Sequence, residues 1–168
     1  DLRDRFRLGE IYFAAPDIDF TSFLDDLATY DGMVQHVTLA LNPNDSVLAF
    51  AKRQHGVSRA GLPDPNELTE EETRLVQRAF REMAFDLIWI DPDAIPDLAR
   101  GAHDFWYNHP WVSTDVLIQL LFQARPADRG LTLVEDIEGR RAWTFGPDYP
   151  ARAMEAIERL TQQTPKAE

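Results

Sequence analysis

Asp45 and His103 are the two residues of this chain whose types and positions could do chemistry together. Asp45 follows an apolar run at 37–41 through Asn42, Pro43 and Asn44. His103 lies a short loop beyond a second apolar run at 85–90. Each polar side chain therefore comes just after the C-terminal end of an expected buried strand, the edge at which open α/β sheets gather their ligands. An acid followed by a histidine is the order of the last two members of a nucleophile–acid–histidine triad. In such a triad one imidazole nitrogen moves the proton while the acid holds the other. No G-x-S-x-G elbow occurs anywhere in the sequence, so the nucleophile is expected to come from outside this chain.

Each of these residues also has a plainer reading. His103 could be a loop histidine with a structural hydrogen bond. Asp45 could be the N-cap of the helix that follows it. Capping and catalysis are compatible, because the cap position is also the C-terminal edge of the strand. Asp17, Asp19 and Asp91 are rival acids, with Asp19 read as a helix cap and Asp91, before Pro92, as a turn residue. Ser46, Ser58 and Ser113 are the serines to weigh as nucleophiles. Ser46 and Ser113 lack the glycine flanks of a strained elbow and read as capping or surface serines. His36 and His55 read as a strand-edge and a helix-end histidine, and His109 has no partner at metal-ligand spacing. The aromatics Trp106, Tyr107 and Trp111 read as core packing.

The elements that must position Asp45 and His103 follow from periodicity and punctuation. A first strand is expected over 8–15, ended by Pro16, and its nearly unbroken apolar run suits a strand covered on both faces. Asp19 can cap a helix that buries Phe20, Phe23, Leu24 and Leu27, with Gly32 as its stop. The second strand is read at 34–41, followed by a short helix from Asp45 to Gly56 carrying Val47, Leu48 and Phe50. A loop at 58–66 leads to a capping box at Thr69 and Glu72. The helix opened there places Leu75, Val76, Ala79, Phe80 and Met83 on one face. After the third strand, at 85–90, comes a helix over 111–122 with Val112, Val116, Leu117, Leu120 and Leu121 at helical spacing. Residues 131–134 and 141–145 read as a hairpin turning near Glu138 and Gly139. A last helix opens at Asp148 and Pro150 and carries Met154, Ile157 and Leu160, and the tail after Gln162 is expected to fray. Strand alternating with helix implies βαβ units and a parallel sheet. The chain divides into a core at 1–124 and a hairpin-and-helix extension at 125–168.

Composition narrows the partners. The 168 residues are one domain or a large piece of one, with a net charge of −12 from 29 acidic and 17 basic side chains. That charge argues against a nucleic-acid backbone or an anionic membrane surface. The absence of cysteine removes disulfides, Cys-ligated zinc and a thiol nucleophile. No apolar run reaches the length of a membrane span, and no cofactor motif is present. The chain starts at Asp1 rather than Met, which reads as a boundary with any targeting signal upstream of it. The compartment stays open.

Three segments together resemble a known family. They are Leu8-Gly-Glu-Ile-Tyr-Phe-Ala-Ala-Pro-Asp-Ile-Asp19, Val37-Thr-Leu-Ala-Leu-Asn-Pro-Asn-Asp-Ser-Val-Leu48 and Gly101-Ala-His-Asp-Phe-Trp-Tyr107. They are similar to successive signatures of an esterase-like bacterial branch of the α/β-hydrolase superfamily whose substrates are poorly defined. The resemblance covers roughly residues 8–122. It implies an α/β fold equal to the C-terminal portion of a hydrolase sheet, three parallel strands with flanking helices, extended by the hairpin and terminal helix. It implies Asp45 as the acid and His103 as the general base, without cofactor or metal, acting on a small acyl substrate such as an ester. The family's nucleophile elbow and oxyanion loop have no counterpart here, and the connection at 58–84 is longer than usual. Two functions follow as expectations. One is the acid–histidine half of a serine hydrolase whose serine lies elsewhere, this chain alone being inactive. The other is an acidic, non-catalytic interaction module on a hydrolase-derived scaffold. In either case a missing N-terminal half or a second copy is expected to cover the first strand.

Overall fold

The computed structural model describes residues 9–30, 33–135 and 141–163. Within them the chain forms an α/β fold: a five-stranded, mostly parallel sheet and six α-helices. The strands are β1 (Glu10–Ala14), β2 (His36–Leu41), β3 (Phe85–Trp89), β4 (Thr132–Glu135) and β5 (Arg141–Thr144). The helices are α1 (Phe20–Tyr30), α2 (Ser46–His55), α3 (Glu70–Glu82), α4 (Phe105–Asn108), α5 (Pro110–Phe122) and α6 (Tyr149–Gln163). The sheet order is β1-β2-β3-β5-β4. β1, β2 and β3 run parallel in the registers Glu10↔His36 and Val37↔Phe85.

Period-two alternation divides the strand residues between two cores. Ile11, Phe13, Val37, Leu39, Leu41 and Leu87 face α1 and α3, where Phe23, Leu24, Leu27 and Ala79 are buried. Burying three large side chains fixes α1 on the sheet, each worth roughly 1.5–3 kcal/mol. Tyr12, Ala40 and Ile88 belong to the other core, with Val112 and Ile118 of α5 and Tyr149 and Ala153 of α6. Helices therefore cover both faces of the parallel strands, as strands without an exposed face require.

Local signals place the helices where their capping residues stand. The Asp19 carboxylate accepts the Ser22 amide at 3.1 Å at the start of α1. Thr69 and Glu72 form the reciprocal capping box of α3. Gly56 ends α2 at φ 74°, a left-handed conformation that costs glycine little. Gly32, the turn of the hairpin and the last residues of the tail lie outside the described residues.

Two expectations are corrected. Both faces of β1 are covered by the chain's own helices: Phe13 packs edge-on against Phe23 with ring centroids 5.3 Å apart, and Gln119 of α5 reaches β1 from the other side. Among the described residues the outer edge of β1 has no strand partner, as is also true of β4 at the other end of the sheet. The hairpin lies away from the β1 edge. It joins the opposite side, where β5 runs parallel to β3 through Ile88↔Trp143 and β4 closes the sheet antiparallel. The indole of Trp143 donates to Asp86 at 3.0 Å and the Thr144 hydroxyl to the Trp89 carbonyl at 3.0 Å, so polar bonds lock the hairpin to β3. Finally, α5 presents a different face from the one its leucines implied. Val112, Asp115, Ile118 and Gln119 are buried, while Leu117, Leu120 and Leu121 are exposed.

Candidate functional site

The site lies at the C-terminal ends of β2 and β3. β2 ends at Leu41, and the chain then turns through 42–45 into α2. The Asp45 amide donates to the Asn42 carbonyl at 3.1 Å, which closes that turn. Asp45 is the N-cap of α2: its Oδ1 accepts the Val47 and Leu48 amides at 2.9 and 3.0 Å. Oδ2 is left for one more partner, and His103 Nδ1 lies 2.8 Å from it. The Asp45 carboxylate is wholly buried, whereas the His103 ring is 37% exposed.

This geometry has a direct chemical consequence. A carboxylate beside Nδ1 favours the tautomer that carries its proton there, which leaves Nε2 as the basic nitrogen. Among the described residues no protein group is hydrogen-bonded to Nε2 of His103. A buried acid held by two backbone amides, joined to a half-exposed imidazole with its outer nitrogen unengaged, can orient a general base and stabilise the imidazolium formed when it takes a proton.

The other side chains singled out from sequence fall elsewhere. Asp17 pairs with Arg59 at 2.5 Å, Asp19 caps α1, and Asp91 accepts the Asp93 amide at 2.9 Å in a turn. His109 is structural: its Nδ1 accepts the Trp111 amide at the start of α5, and its Nε2 meets the Pro96 carbonyl at 2.8 Å. The Ser46 hydroxyl donates to the Gly101 carbonyl and that of Ser113 to the Pro110 carbonyl, so neither is directed at His103. Ser58 accepts the Asp64 amide. Trp106 and Tyr107 stand in edge-to-face contact but are exposed, contrary to the core role expected of them. Trp111 does pack inward, against Tyr149.

Sequence reasoning missed a buried polar network at the opposite, N-terminal ends of the strands. His36 is buried between two carboxylates, with Nδ1 3.1 Å from Glu10 and Nε2 2.6 Å from Asp86. The second contact is close but lacks hydrogen-bond geometry, and it is an ion pair when the ring is protonated. Burial of the ring draws its pKa down, but the contacts with Asp86 and Glu10 outweigh this and leave it raised. Burial likewise pushes the Asp86 carboxyl up, and the His36 ring, the Trp143 indole and Arg125 together more than offset it, leaving it lowered. Nearby, Arg129 and Asp115 form a fully buried pair at 2.7 Å, and Arg129 also donates to Gln119 and the Ala124 carbonyl. The only hint in sequence was the polar start of each strand, Glu10, His36 and Asp86. Among the described residues no group of three or more acidic or histidine side chains is placed to hold a metal ion, and no helix is long and apolar enough to cross a membrane.

No protein-family model, no curated protein and no solved structure matches this chain.

Proposed function

We propose that Asp45 and His103 are the acid and general base of a serine hydrolase acting on an ester or related acyl bond, with the nucleophile supplied from outside this chain. The observation that carries the reading is the 2.8 Å contact between Asp45 Oδ2 and His103 Nδ1 at the C-terminal edge of the sheet. Its support is the division of labour: one residue is buried and fixed, the other reaches solvent. The neighbouring order of β1, β2 and β3, with the acid after the second and the histidine after the third, agrees with the α/β-hydrolase resemblance. In the reaction an incoming hydroxyl nucleophile gives its proton to His103 Nε2 as it attacks the acyl carbonyl. His103 then returns the proton to the leaving alcohol, and a water repeats the cycle to release the acid. Asp45 keeps the ring in place throughout. A strand that paired with the free edge of β1 would bring a nucleophile to the same end of the sheet.

The test is hydrolysis of a short-chain p-nitrophenyl ester by the polypeptide that carries this sequence together with its upstream segment. His103→Ala is expected to lower kcat by roughly 10⁶-fold. Turnover indifferent to that substitution, or an upstream segment without a nucleophile in a strand–turn–helix setting, rejects the reading. A second reading, a non-catalytic acidic interaction module, is favoured by the exposed leucines of α5 and the unpaired edge of β1. It predicts partner binding that survives loss of His103.

A further inference from the structure

His103 sits on an irregular segment, yet it meets Asp45 at hydrogen-bond distance. Something must hold that segment, because an imidazole on a free loop would spend most of its time elsewhere. The two residues before His103 supply the holding points. The Gly101 carbonyl accepts both the amide and the hydroxyl of Ser46, at 3.2 and 2.9 Å. The Ala102 carbonyl accepts the side-chain amide of Asn42 at 2.7 Å. Both donors belong to the same short turn that carries Asp45.

We infer that Asn42 and Ser46 are positioning residues that clamp the His103 loop onto the Asp45 turn, so that acid and base are carried by one rigid unit. The peptide planes on either side of Ala102 are fixed by the two carbonyls, which leaves the His103 ring little more than its own two side-chain torsions. Asn42 is suited to the inner point. It is fully buried at the end of β2, and its Oδ1 accepts the Asn44 amide at 3.1 Å, so its amide group cannot rotate away without breaking a second bond. Ser46 is suited to the outer point, as the first residue of a helix already anchored by Asp45. The close approach also explains Gly101. It lies at φ 79°, and a Cβ there would stand 3.2 Å from the Ser46 side chain and 3.4 Å from the Asn44 carbonyl.

The clamp derives its significance from the triad reading, but its test needs no substrate. The readout is the imidazole Nδ1 proton of His103 in nuclear magnetic resonance of the full chain, assigned by its loss in His103→Gln. In the parent chain this proton is expected to be seen as a single slowly exchanging resonance. Asn42→Ala is expected to abolish it or to speed its exchange with water by at least about fivefold, the factor one ordinary hydrogen bond is worth. Ser46→Ala, at an exposed position that leaves folding intact, is expected to give a smaller acceleration in the same direction. Thr38→Val is the control. It removes a buried 2.8 Å bond to Gln119 in the same strand, away from the loop, and should leave the resonance unchanged. An unchanged proton in a folded Asn42→Ala overturns the clamp, as does an equal effect of Thr38→Val. If Asn42→Ala does not fold, an unchanged proton in Ser46→Ala overturns it. Intact resonances with no esterase activity in the longer polypeptide would fault the hydrolase reading and leave the clamp standing.

Discussion

Asp45 divides its carboxylate between two tasks: Oδ1 caps α2 and Oδ2 holds His103. One oxygen belongs to the fold and the other to the candidate chemistry, and because both are on the same rigid group the helix itself aims the acid. The capping task can be kept while the acid is removed. Asparagine caps a helix about as well as aspartate does, but it carries no charge to stabilise an imidazolium. Asp45→Asn should therefore unfold in urea close to the parent, while Asp45→Ala loses about 1–2 kcal/mol with the cap. In the longer polypeptide Asp45→Asn should still cost roughly 10⁴-fold in kcat. Equal stability losses for the two variants would show that the cap is not what Oδ1 contributes.

This chain alone is expected to hydrolyse a small activated ester no faster than its histidine content permits. A positioned base is one component of acyl transfer, and donors aimed at the developing oxyanion supply a large share of the rate. Two of the serines weighed as nucleophiles are already engaged, Ser46 with Gly101 and Ser113 with Pro110. Turnover by the pure chain that disappears in Ser46→Ala or Ser113→Ala would mean that one of them attacks.

The parts of the molecule that obey local rules were legible in the sequence. The capping box at Thr69 and Glu72, the cap at Asp45, the stop at Gly56 and the three parallel strands all rest on contacts a few residues apart or on short, nearly unbroken apolar runs. The meeting of Asp45 and His103 was legible because both follow strands of one parallel sheet, which forces them to the same end. What was not legible depends on partners far apart in the chain. Nothing local shows that Arg129 will be buried against Asp115, or that His36 will lie between Glu10 and Asp86. The hairpin's choice of the β3 side rests on Trp143 reaching Asp86, a contact between residues 57 positions apart. Trp106 and Tyr107 were expected inside on composition alone, and no periodic partner supported that.

The His36 network should make stability depend on pH in a defined direction. The folded-state pKa of His36 is raised above its ordinary value, so its contribution is complete below about 6.5 and fades as pH rises through the raised value. The Asp86 pKa is lowered, so its contribution is complete above about 3.9 and fades as pH falls through the lowered value. The groups that face the ring are Glu10, Asp86 and, at longer range, Arg125, which opposes its charge. The part of the urea midpoint that His36 and Asp86 contribute should therefore be highest between about pH 4 and 6.5 and decline toward alkaline pH. His36→Gln should flatten the alkaline decline. A parent chain whose midpoint rises between neutral and alkaline pH would contradict the ion-pair assignment.

The orientation of α5 gives the sharpest contrast between sequence and structure, and substitutions can decide it. Read by hydropathy, the helix should bury Leu117, Leu120 and Leu121. In the fold these point outward, Leu121 being 72% exposed, while Asp115 and Gln119 are fully buried. Arg129 answers both polar side chains, bonding Asp115 Oδ1 at 2.7 Å and Gln119 Oε1 at 2.6 Å, and Thr38 and Glu10 add further bonds to Gln119. Arg129→Met leaves the Asp115 carboxylate buried without its partner and is expected to cost about 3–5 kcal/mol. Ile118→Ala, on the same inward face, should cost about 2–5 kcal/mol. Leu121→Ser should stay within about 0.5 kcal/mol of the parent, as surface substitutions do. Urea unfolding of the three variants reads all of these directly. A Leu121→Ser loss as large as that of Ile118→Ala would mean that the outward leucines are packed against something in solution.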